Sequence, residues 1–259
     1  MKNIFCLEKA EASALEGVLF DLDDTLLDHT RLSQAAYDAL FRLRACGLSL
    51  IVLTGRPASW AELLVRMWPV DAAIAENGSV AYRFVNDSPV LLDTVSDQVR
   101  QARRERLGRL VNEVRRELPS LVPANDVQGR ISDFTFDIGE NCHMPEDVIA
   151  RAIQLARRGG ARTTRSSVHL HLTFDHMDKG CGALNLLTRL GHDSTSARRR
   201  FAFIGDSEND AAAFATFATT VGVANLKGTF SLPPKYLTLL PQSAGFCQFT
   251  DHLCGLRTS

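Results

Sequence analysis

Polar and apolar positions alternate with different periods along this chain, and the periods sort it into elements. Gly17-Val18-Leu19-Phe20 is a short apolar run that ends on Asp21. Such a run, with no polar alternation, predicts a strand buried on both faces, as in a parallel sheet. Leu32, Ala36, Leu40 and Leu43 then recur at helical spacing, and Gly47 follows as a stop. Residues 48–53 repeat the buried-strand pattern and lead into Thr54-Gly55-Arg56-Pro57. Residues 58–67 predict a second helix and residues 71–75 a third short strand. Strand, helix, strand, helix, strand at this spacing predicts a parallel sheet with covering helices.

The middle of the chain has another pattern. Residues 90–92 read as a brief strand, and residues 100–118 as a long helix with Leu107, Leu110, Val111 and Val114 on one face. Residues 130–138 alternate, with Ile131, Phe134, Phe136 and Ile138 among polar neighbours. Pro145 opens another helix, with Glu146 and Asp147 in its first turn and Arg157 and Arg158 in its last, before Gly159-Gly160. Residues 162–173 hold two short strands. This segment, 83–176, predicts an antiparallel sheet with two helices on one side and its own apolar core. The parallel pattern then resumes. Ala183, Leu184, Leu187 and Leu190 mark a helix face, residues 201–205 a buried strand, and an Ala-rich stretch after Asp210 a short helix. Residues 219–223 read as a strand and residues 246–253 as a closing helix. The fold class is α/β: a Rossmann-like parallel sheet core, split as 1–82 and 177–259, with an inserted α+β domain at 83–176.

Composition narrows the function classes. The 259 residues suit one large domain or two modest ones at about 150 residues each. Lys and Arg number 29 against 30 Asp and Glu, a net charge of −1, so no global field draws the chain to nucleic acid or an anionic membrane. Seven arginines on the predicted helix 100–116 are interleaved with Glu105, Glu113 and Glu117, which reads as a solvated face with i,i+4 pairs. The cysteines Cys6, Cys46, Cys142, Cys181, Cys247 and Cys254 are scattered, without Cys-x-x-Cys spacing, and read as reduced thiols. Glu8, Lys9, Glu11 and Glu16 break any apolar core of a leader, and no run approaches a membrane span. The expected location is cytoplasmic, as a monomer or homodimer.

Three polar clusters carry candidate chemistry: Asp21-Leu22-Asp23-Asp24-Thr25 after the first strand, Gly205-Asp206-Ser207-Glu208-Asn209-Asp210 after a later one, and Asp178-Lys179-Gly180 at a helix start. Open parallel sheets bind ligands at the carboxyl ends of strands, where strand order reverses. If both acidic strands flank that point, Asp21, Asp23, Asp206 and Asp210 converge. Close carboxylates that are partly desolvated repel by several kcal/mol per pair, on the order of the Coulomb energy at intermediate dielectric. A hard cation relieves that repulsion, and an all-oxygen site suits Mg2+, which also bridges to a substrate phosphate. Lys179 adds a fixed positive charge for a phosphate oxygen.

Asp-x-Asp-x-Thr after the first strand, Thr-Gly-Arg after the second, a central Lys and Gly-Asp-Ser-x-Asn-Asp together resemble the haloacid dehalogenase superfamily of phosphohydrolases. The Glu76-Asn77-Gly78 turn, and the insertion between Thr-Gly-Arg and the lysine, are similar to the subclass with a large α/β cap. That subclass includes Cof-type sugar phosphatases, sucrose-phosphate phosphatases and mannosyl-3-phosphoglycerate phosphatases. One departure is Asp24, where many relatives carry Gly. The resemblance implies an Mg2+-dependent phosphomonoesterase acting on a small phosphorylated metabolite, a sugar phosphate above all. It implies Asp21 as nucleophile, Asp23 as general acid and base, and Mg2+ held by Asp21, the Asp23 carbonyl and Asp206, with Asp210 on metal-bound water. Thr54 and Lys179 then contact the phosphoryl oxygens, with Gly55, Arg56 and Asn209 beside them. In the insertion, Arg130, Asp133, Ser167, His169 and His171 are candidates to face substrate. The alternatives are a hexose phosphomutase, whose cap is of the same type, and a non-catalytic regulatory protein on the same fold.

Overall fold

The computed structural model describes residues 1–166, 168–226 and 232–258. Their strands, in chain order, are β1 (Lys2–Asn3), β2 (Gly17–Phe20), β3 (Ser49–Leu53), β4 (Ala72–Ala75), β5 (Val80–Val85), β6 (Ser88–Asp93), β7 (Asp133–Asp137), β8 (Arg162–Arg165), β9 (His169–Thr173), β10 (Phe201–Gly205), β11 (Thr219–Gly222) and β12 (Tyr236–Leu237). The helices are α1 (Lys9–Ala14), α2 (Gln34–Ala45), α3 (Ala58–Met67), α4 (Asp97–Glu117), α5 (Glu146–Arg158), α6 (Lys179–Arg189), α7 (Ser194–Arg200), α8 (Ala211–Thr216) and α9 (Gln242–Thr258).

Nine strands form one sheet in the order β1-β12-β11-β10-β2-β3-β4-β5-β6. Pairing is parallel from β1 to β4 and antiparallel from β4 to β6. The chain leaves β2 toward β3 and β4 on one side, and β10 toward β11 and β12 on the other. Strand order therefore reverses between β2 and β10, which puts a crevice at their carboxyl ends.

Burial explains why these runs are strands. Val18 and Phe20 of β2 enter a layer with Leu40, Leu64, Phe246 and Phe249, while Leu19 faces Leu187, Phe203 and Phe214 on the other side. A two-sided apolar layer leaves no polar alternation to read, and each fully buried Leu or Phe contributes about 1.5–3 kcal/mol. Helix α2 begins after Ser33, whose hydroxyl accepts the Ala36 N–H, so Leu32 falls outside the helix and is exposed.

The brief strand at 90–92 belongs to β6, which pairs with β5 as a hairpin on the edge of the large sheet. Asn86 and Asp87 make the turn at φ 48° and 60°, the left-handed pair that hairpins require. Beyond β6 the chain builds a second, three-stranded antiparallel sheet, β7-β9-β8. Its core joins Leu107, Leu110, Val111 and Val114 of α4 to Phe136, Leu170 and Leu172, with α5 beside them.

Two arginines of α4 are not on a solvated face. Arg100 holds both oxygens of Asp93 at 2.6 and 2.8 Å, and Arg100 and Arg103 both pair with the fully buried Asp175. Asp93 ends β6 and Asp175 follows β9, so the start of α4 lies against both chain crossings between the sheets. A helical wheel does not show that, because the partners are distant in sequence. The cysteines are free thiols. Among the described residues no helix is long and apolar enough to cross a membrane.

Candidate active site

Asp21 is the first residue past β2, and its N–H still donates to the Ile204 carbonyl of β10 at 3.0 Å. That bond holds it at the point of reversal. The chain then turns sharply, with Asp24 at φ 57°, a left-handed position that Asp tolerates and Gly prefers. Thr25, fully buried, donates its hydroxyl to Asp206 Oδ1 at 3.0 Å and ties the two acidic loops together. Asp206 follows β10. Asp210 folds back beneath it, its Oδ2 accepting the N–H groups of Asp206 (2.9 Å) and Ser207 (3.0 Å). A Cβ on Gly205 would lie 2.4 Å from that oxygen, so the turn needs glycine.

Lys179 opens α6 and is fully buried, with Nζ 2.9 Å from Asp21 and 2.6 Å from Asp210. Its helix reaches this depth because Gly182 packs on Gly78 backbone to backbone, where a Cβ would meet the Gly78 Cα at 2.4 Å.

Asp21, Asp206 and Asp210 bring carboxylate oxygens within 4.8 Å of one another. Burial pushes the Asp21 carboxyl up to about 7, against the opposing pull of Lys179 and with added repulsion from Asp210. Burial and the same neighbours raise Asp206 well above its ordinary value. Burial alone would lower Lys179, yet Asp21 and Asp210 outweigh it and hold the ammonium protonated. Three carboxylates against one ammonium leave a formal excess of two negative charges. The donor set is all oxygen and buried, so the residues fit a hard divalent cation.

Asp23 stands apart from that cluster. Its two oxygens take Arg56 Nε at 2.7 Å and Nη2 at 2.8 Å, a two-pronged pair. Arg56 is itself 5% exposed, lies 4.7 Å from the centre of the Trp60 ring, and reaches Glu140 of the second unit at 3.0 Å. Its guanidinium is held above its ordinary value, because Asp23 and Glu140 overcome the burial that would lower it. Glu140 in turn meets His169 Nε2 at 2.9 Å. That bond, aided by Arg56 against partial burial, holds Glu140 down to about 2. Thr54 is fully buried and its hydroxyl accepts the Arg56 N–H at 3.1 Å. Gly55 sits beside the Asn77 side chain.

A cavity of about 30 Å³ lies among Asp21, Asp23, Gly55, Arg56, His169, His171, Asp206 and Asn209. That is room for one or two waters. Asn209 accepts from the Ser207 hydroxyl at the cavity wall. His171, lowered by burial, bonds Asp133 at 2.8 Å.

Arg130 is placed differently from a substrate contact. Its side chain is fully buried and pairs with Asp126 and Asp133, and it donates to the Gly55 carbonyl at 3.0 Å. It braces the Thr54-Gly55-Arg56 loop from behind. Ser167 lies outside the described residues.

Three residues of this neighbourhood were given no role at the site by the sequence, although two of them, Glu76 and Thr25, stand in motifs. Glu76, at φ 50°, is 2% exposed and accepts from the backbone of Ala58, Ile131, Ser132 and Asp133 and from the Ser132 hydroxyl. It joins the large-sheet unit to the second one. An acid just past a buried strand was its signal. Thr25 stood in the Asp-x-Asp-x-Thr motif without a role of its own, and Glu140 gave no signal, since its partners lie far away in the chain.

Residues 18–103 match the family of haloacid dehalogenase-like hydrolases. The chain is 27% identical over 244 residues to a phosphoglycolate phosphatase of Archaeoglobus fulgidus, covering 93% of this chain and 98% of that one. Among solved structures it resembles a Thermoplasma acidophilum protein (TM-score 0.73, 17% identity, 92% of this chain and 98% of that one). It also resembles the sucrose-phosphatase of Synechocystis in complex with sucrose and phosphate (TM-score 0.67, 17% identity, 92% and 98%).

Proposed function

We infer that this chain, a phosphatase of the haloacid dehalogenase-like hydrolase family, is an Mg2+-dependent phosphomonoesterase of a small phosphorylated metabolite, a sugar phosphate. The observation that carries the reading is the convergence of Asp21, Asp206, Asp210 and Lys179 where the strand order reverses. Asp21 is the nucleophile. Its carboxylate oxygen bonds to phosphorus as the bond to the leaving oxygen breaks, giving an aspartyl-phosphate. Asp23 gives its proton to that leaving oxygen and then takes one from the water that opens the aspartyl-phosphate. Arg56 holds both Asp23 oxygens in the resting site and so aims the carboxyl; one oxygen leaves that pair and takes a proton from solvent before the acid step. Lys179 and Thr54 stabilise the phosphoryl oxygens, where charge accumulates. Asp21, the Asp23 carbonyl, Asp206 and Asp210 would hold Mg2+, which when bound supplies charge neutralisation for the phosphoryl group. The unit of α4, α5 and β7 to β9 serves as the cap that excludes water, with the large-sheet unit as the catalytic core.

Hydrolysis is favoured over phosphoryl transfer between positions of one sugar. A mutase must hold and rebind its phosphorylated intermediate, commonly with cap arginines, and Arg130 is already committed to Asp126 and Asp133. A purely regulatory role requires a lost nucleophile, lysine or acidic ligand, and all are present.

Asp21→Asn tests the reading. Phosphate release from sugar phosphates should fall by at least about 10³-fold, with the melting temperature kept. Retained turnover in the folded variant removes Asp21 from the nucleophile role.

A further inference from the structure

Arg56 meets more partners than a grip on Asp23 needs. Its Nε donates to Asp23 Oδ2 at 2.7 Å, and its Nη2 is shared between Asp23 Oδ1 at 2.8 Å and Glu140 Oε1 at 3.0 Å. Resting on the phosphatase reading, we propose that Glu140 is a positioning residue for the acid step. Supplied by the second unit, it holds Nη2 in place when Asp23 Oδ1 leaves it, so that Arg56 keeps aiming Asp23 through Nε alone.

The surroundings of Arg56 leave that task to Glu140. The guanidinium lies 4.7 Å from the centre of the Trp60 ring, a contact that opposes tilting of its plane but not rotation within the plane. Asp126 is 3.6 Å from Nη1, beyond hydrogen-bond reach, and its two oxygens are taken by Arg130 at 3.0 and 3.1 Å. Once Oδ1 is free, Glu140 is therefore the group that keeps Arg56 from turning about its bond to Asp23 Oδ2. The Arg56 side chain is only 5% exposed, and a guanidinium at that depth is costly to leave without a counter-charge.

Glu140 is built into place. Asp137, the last residue of β7, accepts the N–H groups of Gly139 (3.1 Å), Glu140 (2.8 Å) and Asn141 (2.9 Å), which fixes the loop. Glu140 Oε2 meets His169 Nε2 at 2.9 Å, so each carboxylate oxygen has its own partner. The carboxylate thus spans from β9 to the Thr54-Gly55-Arg56 loop. The proton on Asp23 passes to the leaving oxygen as the bond from that oxygen to phosphorus breaks. Its aim matters most where the oxygen would otherwise depart as an alkoxide.

The test compares two leaving groups on one protein. A hexose phosphate loses an alkoxide, which needs the proton, whereas acetyl phosphate loses acetate, a stable anion that does not. The ratio kcat/KM covers the steps up to that departure, so the later work of Asp23 as base does not enter. Glu140→Gln should lower kcat/KM about tenfold for the hexose phosphate, the effect of losing one charged hydrogen bond, and less than about twofold for acetyl phosphate. The acetyl phosphate rate also shows that the variant is folded. In an Arg56→Lys background no second prong remains to be held, and Glu140→Gln should change neither value further. Equal falls for both esters, no fall, or a loss that adds to that of Arg56→Lys each overturn the role of Glu140 and leave the phosphatase reading standing. No release from either ester by wild type overturns both.

Discussion

Glu76 offers a perturbation whose cost can be worked from geometry. Its Oε1 accepts from Ala58 N (3.0 Å) and Ile131 N (2.9 Å), and its Oε2 from Ser132 N (2.6 Å), Ser132 Oγ (2.6 Å) and Asp133 N (3.0 Å). Burial, with help from Asp133, pushes its carboxyl upward, and the donors from Ser132 and Ile131 oppose that. Glu76→Gln keeps size and shape but turns one oxygen into an NH2 group. In one orientation the Ala58 and Ile131 N–H groups face another donor, and in the other the Ser132 and Asp133 N–H groups do. The Ser132 hydroxyl can rotate away. Two buried donors left unsatisfied cost about 1–3 kcal/mol each, so the variant should lose about 3 kcal/mol or more. At about 2–4 °C per kcal/mol for a chain of this size, the melting temperature should drop by about 6–12 °C. Thermal unfolding followed by circular dichroism reads this directly. The loop at 131–133 should also become a site of limited proteolysis, since its backbone loses the acceptor that anchors it to α3. A melting temperature within about 1 °C of wild type would refute the claim that Glu76 fastens the two units.

Further outcomes follow from the same site. Chelation by EDTA should abolish phosphate release and Mg2+ should restore it; full activity in chelator contradicts the metal proposal. Asp21 has a raised value, about 7 against 3.8, so its favourable contribution is complete below 3.8 and lost as pH rises through about 7. The chelated protein should therefore lose stability between about pH 4 and 7, and Mg2+ should raise the melting temperature more at pH 8, where no proton competes, than at pH 5. Equal increments at both values would contradict this. Arg56→Lys replaces a two-pronged grip on Asp23 with one point charge and should lower kcat about tenfold or more, with KM nearly unchanged. Steady-state kinetics check it, and an unchanged kcat argues against Arg56 as the group that aims Asp23. Glu140 has the opposite sign to Asp21. Held down at about 2 against 4.5, it adds stability above 4.5 that is lost as pH falls toward 2. Glu140→Gln should flatten the acid limb of a plot of melting temperature against pH, and an unchanged limb counts against the Arg56–Glu140–His169 link.

Much of this molecule is local in origin and so legible along the chain. Runs such as Val18-Leu19-Phe20 are apolar at every position because their strand is covered on both faces, and that leaves a signature within a few residues. Asp21, Asp206 and Lys179 each sit directly past or at the start of such an element, so their convergence follows once the sheet is parallel. Arg56 was visible beside Thr54-Gly55, although its partners Asp23 and Glu140 were not. What the chain order could not show are contacts that join distant segments through buried charge. Asp23 meets Arg56 and not the acidic cluster, Arg130 turns inward to Asp126 and Asp133, and Arg100 leaves an apparently solvated helix to bind Asp93 and Asp175. The hairpin from β5 to β6 likewise joined the large sheet, because edge pairing depends on which strand is already there. Periodicity reports how much of a side chain is covered, and that is a property of its own neighbourhood. Which charge neutralises which is decided only when folding removes both from water, and that pairing is set by tertiary distance alone.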